Sequence, residues 1–334
     1  MKIIIPMAGR GSRLRPHTLT VPKPLVPVAG KPIVQRLVED LTASYKGEIE
    51  EIAFITGDFG EEVNQQLLEI AKGLGAKGSV YRQMEPLGTA HAILCAAESL
   101  SGNCIVAFAD TLFKASFDFD ANVDGMIWVQ QVEDPSAFGV VKVDENNVIT
   151  DFVEKSPIFV SDLAIVGIYY FNDGENLKNE LQYLLDNDIM DRGEYQLTDA
   201  LENMKQKGLK FQPGKIDEWL DCGNKEAVVY TNGRMLDLKK DQHLVSDSLE
   251  LNNSIVIPPC FIGENVKISN SVVGPYVSIG DNSIVEQSVI ANSIIQHNTT
   301  ITNANLEDSM LGSEVAYVGK ASDISIGDYS KYIV

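Results

Sequence analysis

At 334 residues and 44% hydrophobic composition, the chain has room for one large domain and a smaller one. Its 47 Asp and Glu against 27 Lys and Arg give a formal net charge of −20 and a pI near 4.5, which argues against general affinity for nucleic acid or anionic membrane surfaces. No apolar run approaches the roughly 18 residues of a membrane span, and Met1 leads directly into a strand pattern, so a soluble, cytoplasmic protein is expected.

The first 38 residues hold seven of the basic side chains (Lys2, Arg10, Arg13, Arg15, Lys23, Lys31 and Arg36) and no acid, where an even spread would put about five acids. Here a β-branched run, Lys2 to Ile5, feeds a loop carrying Gly9-Arg10-Gly11-Ser12-Arg13. Backbone N–H groups in a glycine-permitted turn can converge on phosphate oxygens, and Arg13 and Lys23 can add full charges. A basic island in an acidic protein points to a small anionic ligand.

Strands and helices then alternate. Val34, Leu37, Val38 and Leu41 follow helical spacing, Glu51 to Thr56 predicts a buried strand, and residues 59–74 predict a second helix. A short strand at Val80 to Arg82, a helix from Thr89 to Leu100 and a buried strand from Cys104 to Ala109, running into Asp110, complete the pattern. This order predicts a mostly parallel, Rossmann-like α/β sheet in a domain spanning 1–237. Ligands of such sheets bind beyond the carboxyl ends of the strands, where the Gly9 loop, Gln83 and Asp110 would all lie.

After a linker at 238–251 the texture changes, and from 252 to 334 helical periodicity vanishes. Ile262, Ile268, Val273, Ile279, Val285, Ile290, Ile295, Ile301, Leu306 and Leu311 recur at spacings of five or six, with Gly, Asn, Asp and Ser between. This hexapeptide-type repeat predicts a parallel β-helix, each short strand placing one aliphatic side chain inside a triangular coil. Gly263, Asn270, Gly280 and Asn282 would supply its turns. The exposed faces of such coils often pack against a neighbour, so a homo-oligomer is expected. The four cysteines, Cys95, Cys104, Cys222 and Cys260, lack metal or CxxC spacing and are expected to be small buried side chains.

Eight ordered motifs carry a family resemblance: AGRGSRLRP at 8–16, KPLVPVAGKPI at 23–33, EPLGTAHA at 85–92, a strand ending at Asp110, FGVV at 138–141, VEK at 153–155, GEYQLTDA at 193–200 and WLDCG at 219–223. With them the chain resembles the sugar nucleotidyltransferases, most closely the long-form glucose-1-phosphate thymidylyltransferases with a C-terminal left-handed β-helix. The resemblance implies the reaction of an NTP with a sugar-1-phosphate to give NDP-sugar and pyrophosphate. The sugar phosphate is already an ionised nucleophile, so catalysis needs positioning and charge neutralisation rather than a protein base.

The resemblance also implies site residues. Ala8, Gly9, Gly11 and Ser12 would cradle the nucleotide phosphates, with Arg13 on the β and γ phosphates, Lys23 on the α-phosphate side, and Arg10 and Arg15 as steering charges. Asp110 and Asp221 would hold Mg²⁺, with Trp219 packed beneath Asp221. Many relatives carry Gly-Asp-Asn where this chain has Ala109-Asp110-Thr111, which keeps the carboxylate and changes its neighbours. Gln83 and Gly88 would meet the base, with Thr89 also binding the nucleotide; a Gln amide can pair with both O4 and N3–H of uracil or thymine, which favours dTTP or UTP. Gly139, Glu154, Lys155 and Glu194 would bind the sugar phosphate. Glu154 and Lys155, as strand neighbours, can share one site only at a strand end or bulge, near Ser156-Pro157. His91 and His297 are expected to be structural or exposed.

The rival within the enzyme class is a mannose-1-phosphate guanylyltransferase. Outside it stand a bifunctional enzyme whose coil is an acyltransferase, disfavoured by the few cations there (Lys267, Lys320, Lys331), and a non-catalytic regulatory subunit, which would be expected to lack Arg13, Lys23, Asp110 or Asp221.

Overall fold

Strand β1 (Lys2–Pro6) runs through Ile3, Ile4 and Ile5, all fully buried, because helices cover both faces of the sheet it centres. The computed structural model describes residues 1–9, 11–115, 123–155 and 158–320; Arg10, Ser156, Pro157 and Lys331 lie outside the described residues. The chain forms two compact units. One takes Met1–Val26 and Lys31–Ala227, and the other takes Pro27–Gly30 and the chain from Val228 onward.

In the first unit β1 lies between two parallel neighbours, β2 (Glu51–Thr56) and β4 (Cys104–Ala107), and β3 (Lys77–Arg82) extends the sheet beyond β2. β2 and β4 are buried at every position, as their unbroken apolar runs require. Helix α1 (Ile33–Ser44) buries Val34, Leu37, Val38 and Leu41, and α2 (Glu61–Gly73) follows β2. Helix α3 stops at Leu94 (Thr89–Leu94), short of the Leu100 expected from composition, and residues 95–99 continue as turns.

The Rossmann-like parallel part is therefore β3-β2-β1-β4. Beyond it the sheet is mixed. After β5 (Thr111–Lys114), strands β6 (Gly125–Gln131), β7 (Gly139–Val143), β8 (Ile149–Glu154) and β9 (Leu163–Phe171) follow one another without a described helix. β9 pairs antiparallel with β4, β6 and β7, and β8 pairs antiparallel with β7. The short connection from β7 to β8 allows only an antiparallel pair. Helices α4 (Gly174–Asp186) and α5 (Leu197–Gln206) precede β10 (Phe211–Lys215) and β11 (Glu218–Asp221), and β11 pairs antiparallel with β5.

The second unit stacks parallel strands in three sheets: 250–252, 267–269, 284–286, 300–302 and 316–318 in the first, with two four-stranded sheets completing each coil. One coil takes 17 residues between Asn265 and Asn282, and 16 between Asn282 and Asn298. The aliphatic series fills the interior: Ile262 to Ile301 are buried, while Leu306 and Leu311 are half-buried where the described coils run out. Asn270 and Asn282 adopt left-handed backbone (φ 48° and 57°), as the turns require. Gly263 and Gly280 serve differently. Neither has positive φ; a Cβ at Gly280 would lie 2.6 Å from the His297 nitrogen, so close approach of the next coil demands glycine.

The unit boundaries differ from those expected at 237 and 252. Asn232, within helix α6 (Lys225–Leu238), is fully buried and its Oδ1 accepts from Ala29 N–H (2.9 Å) and Ser278 Oγ–H (2.7 Å), all within the second unit. The stretch 238–251 is more than a linker. Ile262 N–H donates to Leu244 O, and Ser246 N–H to Ile262 O, so the coil begins before 252. Among the described residues no helix is long and apolar enough to cross a membrane.

Candidate functional site

Parallel pairing puts the carboxyl ends of β1, β3 and β4 on one edge, so the Gly9 loop, Gln83 and Asp110 emerge together. A cavity of about 240 Å³ opens there, lined by Gly9, Gly11, Ser12, Arg13, Lys23 and Asp110 among others. Gly11 is left-handed (φ +61°), and a Cβ on it would lie 2.7 Å from Lys23 Cβ; this loop needs glycine for both its turn and its contact with the lysine stem. Thr18 Oγ1 donates to Gly11 O (2.7 Å) and fixes the loop. Ala8 does not line the cavity; its carbonyl faces Gly57.

Lys23 is buried, with 7% of its surface exposed, and its ammonium sits 3.0 Å from Asp110 Oδ2. Burying a lysine requires a partner, and the half-exposed Asp110 provides it. A bulge in β9 holds the aspartate loop: the register shifts between Ile165 and Tyr169, Phe108 N–H donates to Gly167 O, and Thr111 Oγ1 donates to Val166 O. Thr111 thus anchors the loop.

Pairing of β5 with β11 sets Asp221 opposite Thr111, and Cys222 N–H donates to Asp110 O (3.0 Å). The two carboxylates, 111 residues apart in sequence, become neighbours at adjacent strand ends. Burial raises the Asp221 carboxyl above its ordinary range; the Gly223 backbone lowers it, the Asp110 charge raises it further, and Lys23 and Arg13 pull it back. A Cβ at Gly223 would lie 2.8 Å from Asp221 Oδ2 and 3.4 Å from Arg13 Nη2, so the guanidinium borders the same space. A pair of aspartates, one largely desolvated and one facing the cavity, fits a hard divalent cation that completes its shell with water and substrate phosphate. Among the described residues no larger cluster of His, Cys, Asp or Glu offers an alternative.

Among the residues expected to meet the base, Gln83 follows β3 and its N–H donates to Thr56 O. Its amide nitrogen lies 3.2 Å from Gly88 O and 3.1 Å from His91 Nδ1. The expected donor-plus-acceptor pairing with a base is therefore reduced, since the donor half is engaged within the protein. Gly88 has φ +111°, and a Cβ there would meet Tyr195 O at 2.4 Å. Thr89 does not present its hydroxyl to a nucleotide: Oγ1 donates to Gln196 Oε1 (3.2 Å) and accepts Leu197 N–H (2.9 Å), capping α5 from outside.

Among the residues expected to bind the sugar phosphate, Gly139 and Glu154 are register partners in β7 and β8, and a Cβ at 139 would lie 2.9 Å from Glu154 Oε2. Lys155 takes a left-handed conformation (φ 38°), which ends the strand and turns its ammonium to 3.2 Å from Glu154 Oε1. The two neighbours thus share one side, as the motif requires. Thr198 Oγ1 lies 3.4 Å from Glu154 Oε2. Glu194 does not join this group. It is exposed, accepts from Gln196 Nε2 (3.0 Å), and lies beside Gly88. Trp219, expected beneath Asp221, packs edge-on against Phe138 (4.9 Å between centroids), and its Nε1–H is buried without a hydrogen-bond partner among the described residues.

Thr198 and the β9 bulge escaped sequence reading. Thr198 lies inside GEYQLTDA, yet nothing there distinguishes a site hydroxyl from a helix-start threonine. Arg15 is exposed and outside the cavity lining. The cysteines are free; Cys104, Cys222 and Cys260 are buried, and burial pushes the Cys104 thiol up to about 12 and Cys260 to about 11, while Cys95 is half-buried.

Residues 2–237, which carry this basic cavity and the aspartate pair, match the family model "Nucleotidyl transferase". The chain belongs to the nucleotidyl transferase family. Across its whole length this nucleotidyltransferase is similar to the glucose-1-phosphate thymidylyltransferase of Streptomyces antibioticus, 30% identical over 361 residues covering 99% of each chain. It is 33% identical to the low-salt glycan biosynthesis nucleotidyltransferase Agl11 of Haloferax volcanii, over 76% of this chain and 72% of that one. Of the bifunctional protein GlmU of Methanococcus maripaludis, 29% identical, it spans 60% of the length. A solved UDP-glucose pyrophosphorylase shares the fold, with a TM-score of 0.58 at 24% identity over 71% of this chain and 98% of that one.

Proposed function

We propose that this nucleotidyltransferase joins dTTP or UTP to glucose-1-phosphate, giving the NDP-sugar and pyrophosphate, with Mg²⁺ held by Asp110 and Asp221. The arrangement of Lys23, Asp110 and Arg13 around one cavity, with Asp221 close enough to feel the charge of all three, carries the reading, and the full-length likeness to a thymidylyltransferase supports the choice of substrates. A regulatory subunit without chemistry would have no use for all four.

An oxygen of the sugar phosphate attacks the α-phosphorus; its new P–O bond forms as the bond to the β-phosphate bridge breaks and pyrophosphate leaves with the electron pair. Lys23 draws the α-phosphate and the incoming sugar phosphate together, exchanging Asp110 for phosphate oxygens. Arg13 grips the departing pyrophosphate with its planar fork. When bound, the metal would neutralise phosphate charge and polarise the phosphoryl group. Glu154 accepts sugar hydroxyls and Lys155 meets the sugar phosphate.

A second reading, guanylyl transfer to mannose-1-phosphate, is favoured by one observation. Gln83 has only its carbonyl left to offer, and the N1–H of guanine can meet that as well as the N3–H of uracil or thymine. Pyrophosphate release over a grid of NTPs and sugar-1-phosphates with Mg²⁺ decides. Turnover with dTTP or UTP and glucose-1-phosphate is expected; turnover only with GTP and mannose-1-phosphate would reverse the choice, and none with any pair would favour the regulatory reading.

A further inference from the structure

The Gly88 carbonyl can only accept a hydrogen bond, so the Gln83 group facing it at 3.2 Å must be the NH₂ end of the amide. The same nitrogen lies 3.1 Å from His91 Nδ1, which must then accept the second amide hydrogen, since an amide nitrogen does not itself accept. Gly88 is held by its own backbone: φ is +111°, and Ala90 N–H donates to Tyr195 O (2.9 Å) just beyond it. His91 is on the first turns of α3 and half-buried, so its ring is fixed to a helix rather than a loop. Both amide hydrogens of Gln83 are thus engaged, and Oε1 has no protein partner among the described residues.

We infer that His91 is a positioning residue for base selection: with Gly88 it locks the Gln83 amide so that only the acceptor Oε1 faces the nucleotide. The inference rests on the reading of Gln83 as a base contact. An acceptor at that point selects bases carrying a ring N–H, namely uracil, thymine and guanine, over cytosine and adenine, whose corresponding ring nitrogen is itself an acceptor. A freely rotating amide would serve either class, because turning it exchanges donor for acceptor. The lock converts an ambiguous side chain into a specific one, and the mismatched base meets lone pair against lone pair.

The test compares UTP with CTP, which differ only at N3 and C4 of the base, using GTP against ATP as the purine pair, at saturating sugar-1-phosphate. His91→Phe keeps ring volume and removes the acceptor; His91→Asn restores an acceptor near the Nδ1 position. In His91→Phe the ratio of kcat/KM values should fall about tenfold, through KM for the preferred nucleotide, with kcat at saturation within about twofold of wild type. His91→Asn should recover most of the ratio. An unchanged ratio in His91→Phe, or equal losses in both variants, would overturn the inference. Gln83→Ala separates the two levels. If it leaves the ratio intact, the base-contact reading fails and the inference with it; if it abolishes the ratio while His91→Phe does not, only the role of His91 falls.

Discussion

The buried ammonium of Lys23 and the carboxylate of Asp110 stabilise one another 3.0 Å apart, so under the proposed function a triphosphate and a metal would exchange this ion pair for two new ones. Asp110→Asn and Arg13→Ala should each depress kcat at least about a hundredfold while circular dichroism stays native, because both act on charge that develops on phosphate oxygens. Asp221 carries a different signature. Its raised folded pKa means the folded chain holds that proton more tightly than the unfolded chain, so stability is lost as pH rises from the ordinary value of 3.8 through the folded value, then levels off. Asp221→Asn removes that loss. Its Tm advantage over wild type should grow as pH rises through that window, in scanning calorimetry without metal, and the Tm increase that Mg²⁺ with nucleotide gives wild type should vanish. Gly139→Ala would push a methyl group to 2.9 Å from Glu154 Oε2; KM for the sugar-1-phosphate should rise about tenfold or more while KM for the nucleotide holds, as steady-state kinetics can show.

Motifs far apart in sequence close on each other as backbone. EPLGTAHA and GEYQLTDA join through Tyr195 N–H to Leu87 O, Ala90 N–H to Tyr195 O, and the Thr89 hydroxyl at the start of α5, so the residues proposed for the base and for the sugar hang on one junction. Thr89→Ala should cost about 1 kcal/mol in urea denaturation, the usual value of a helix-start cap, and raise KM for both substrates together. Both motifs were legible as motifs; their junction was not, because hydrogen bonds between elements leave no periodicity. The shortened α3 is a similar case. Alanine-rich composition favours helix through residue 100, but Ala96 and Ser99 adopt tight turns whose N–H groups bond three residues back.

At the scale of the whole molecule, the acid-free opening stretch resolves into separate roles. Lys2 bonds Ser101 and lies 3.9 Å from Glu51, Lys31 pairs with Glu39, and Arg36 is buried in α1. Of the described cations in that stretch, Arg13 and Lys23 line the cavity. A local shortage of acids therefore does not mean unpaired cations, since acids later in the chain return to neutralise several of them. In the second unit, Ile290 is fully buried in the coil interior, and Ile290→Ala should lower unfolding free energy by about 2–5 kcal/mol, measured by urea denaturation with the coil's own transition followed.

Period, composition and motif order are properties of a sequence, and they determined the elements: a Rossmann-like domain, a coil with one aliphatic residue per face, and a family whose chemistry needs cations near the start and carboxylates far along. Contacts between elements are not periodic, and only the tertiary structure decided those. It made neighbours of Asp110 and Asp221 through an antiparallel strand pair, replaced Glu194 by Thr198 beside Glu154, and turned Gln83 so that His91 and Gly88 hold its donor. Each outcome depends on register, where a shift of one residue changes which side chain faces the site, and register is fixed by packing.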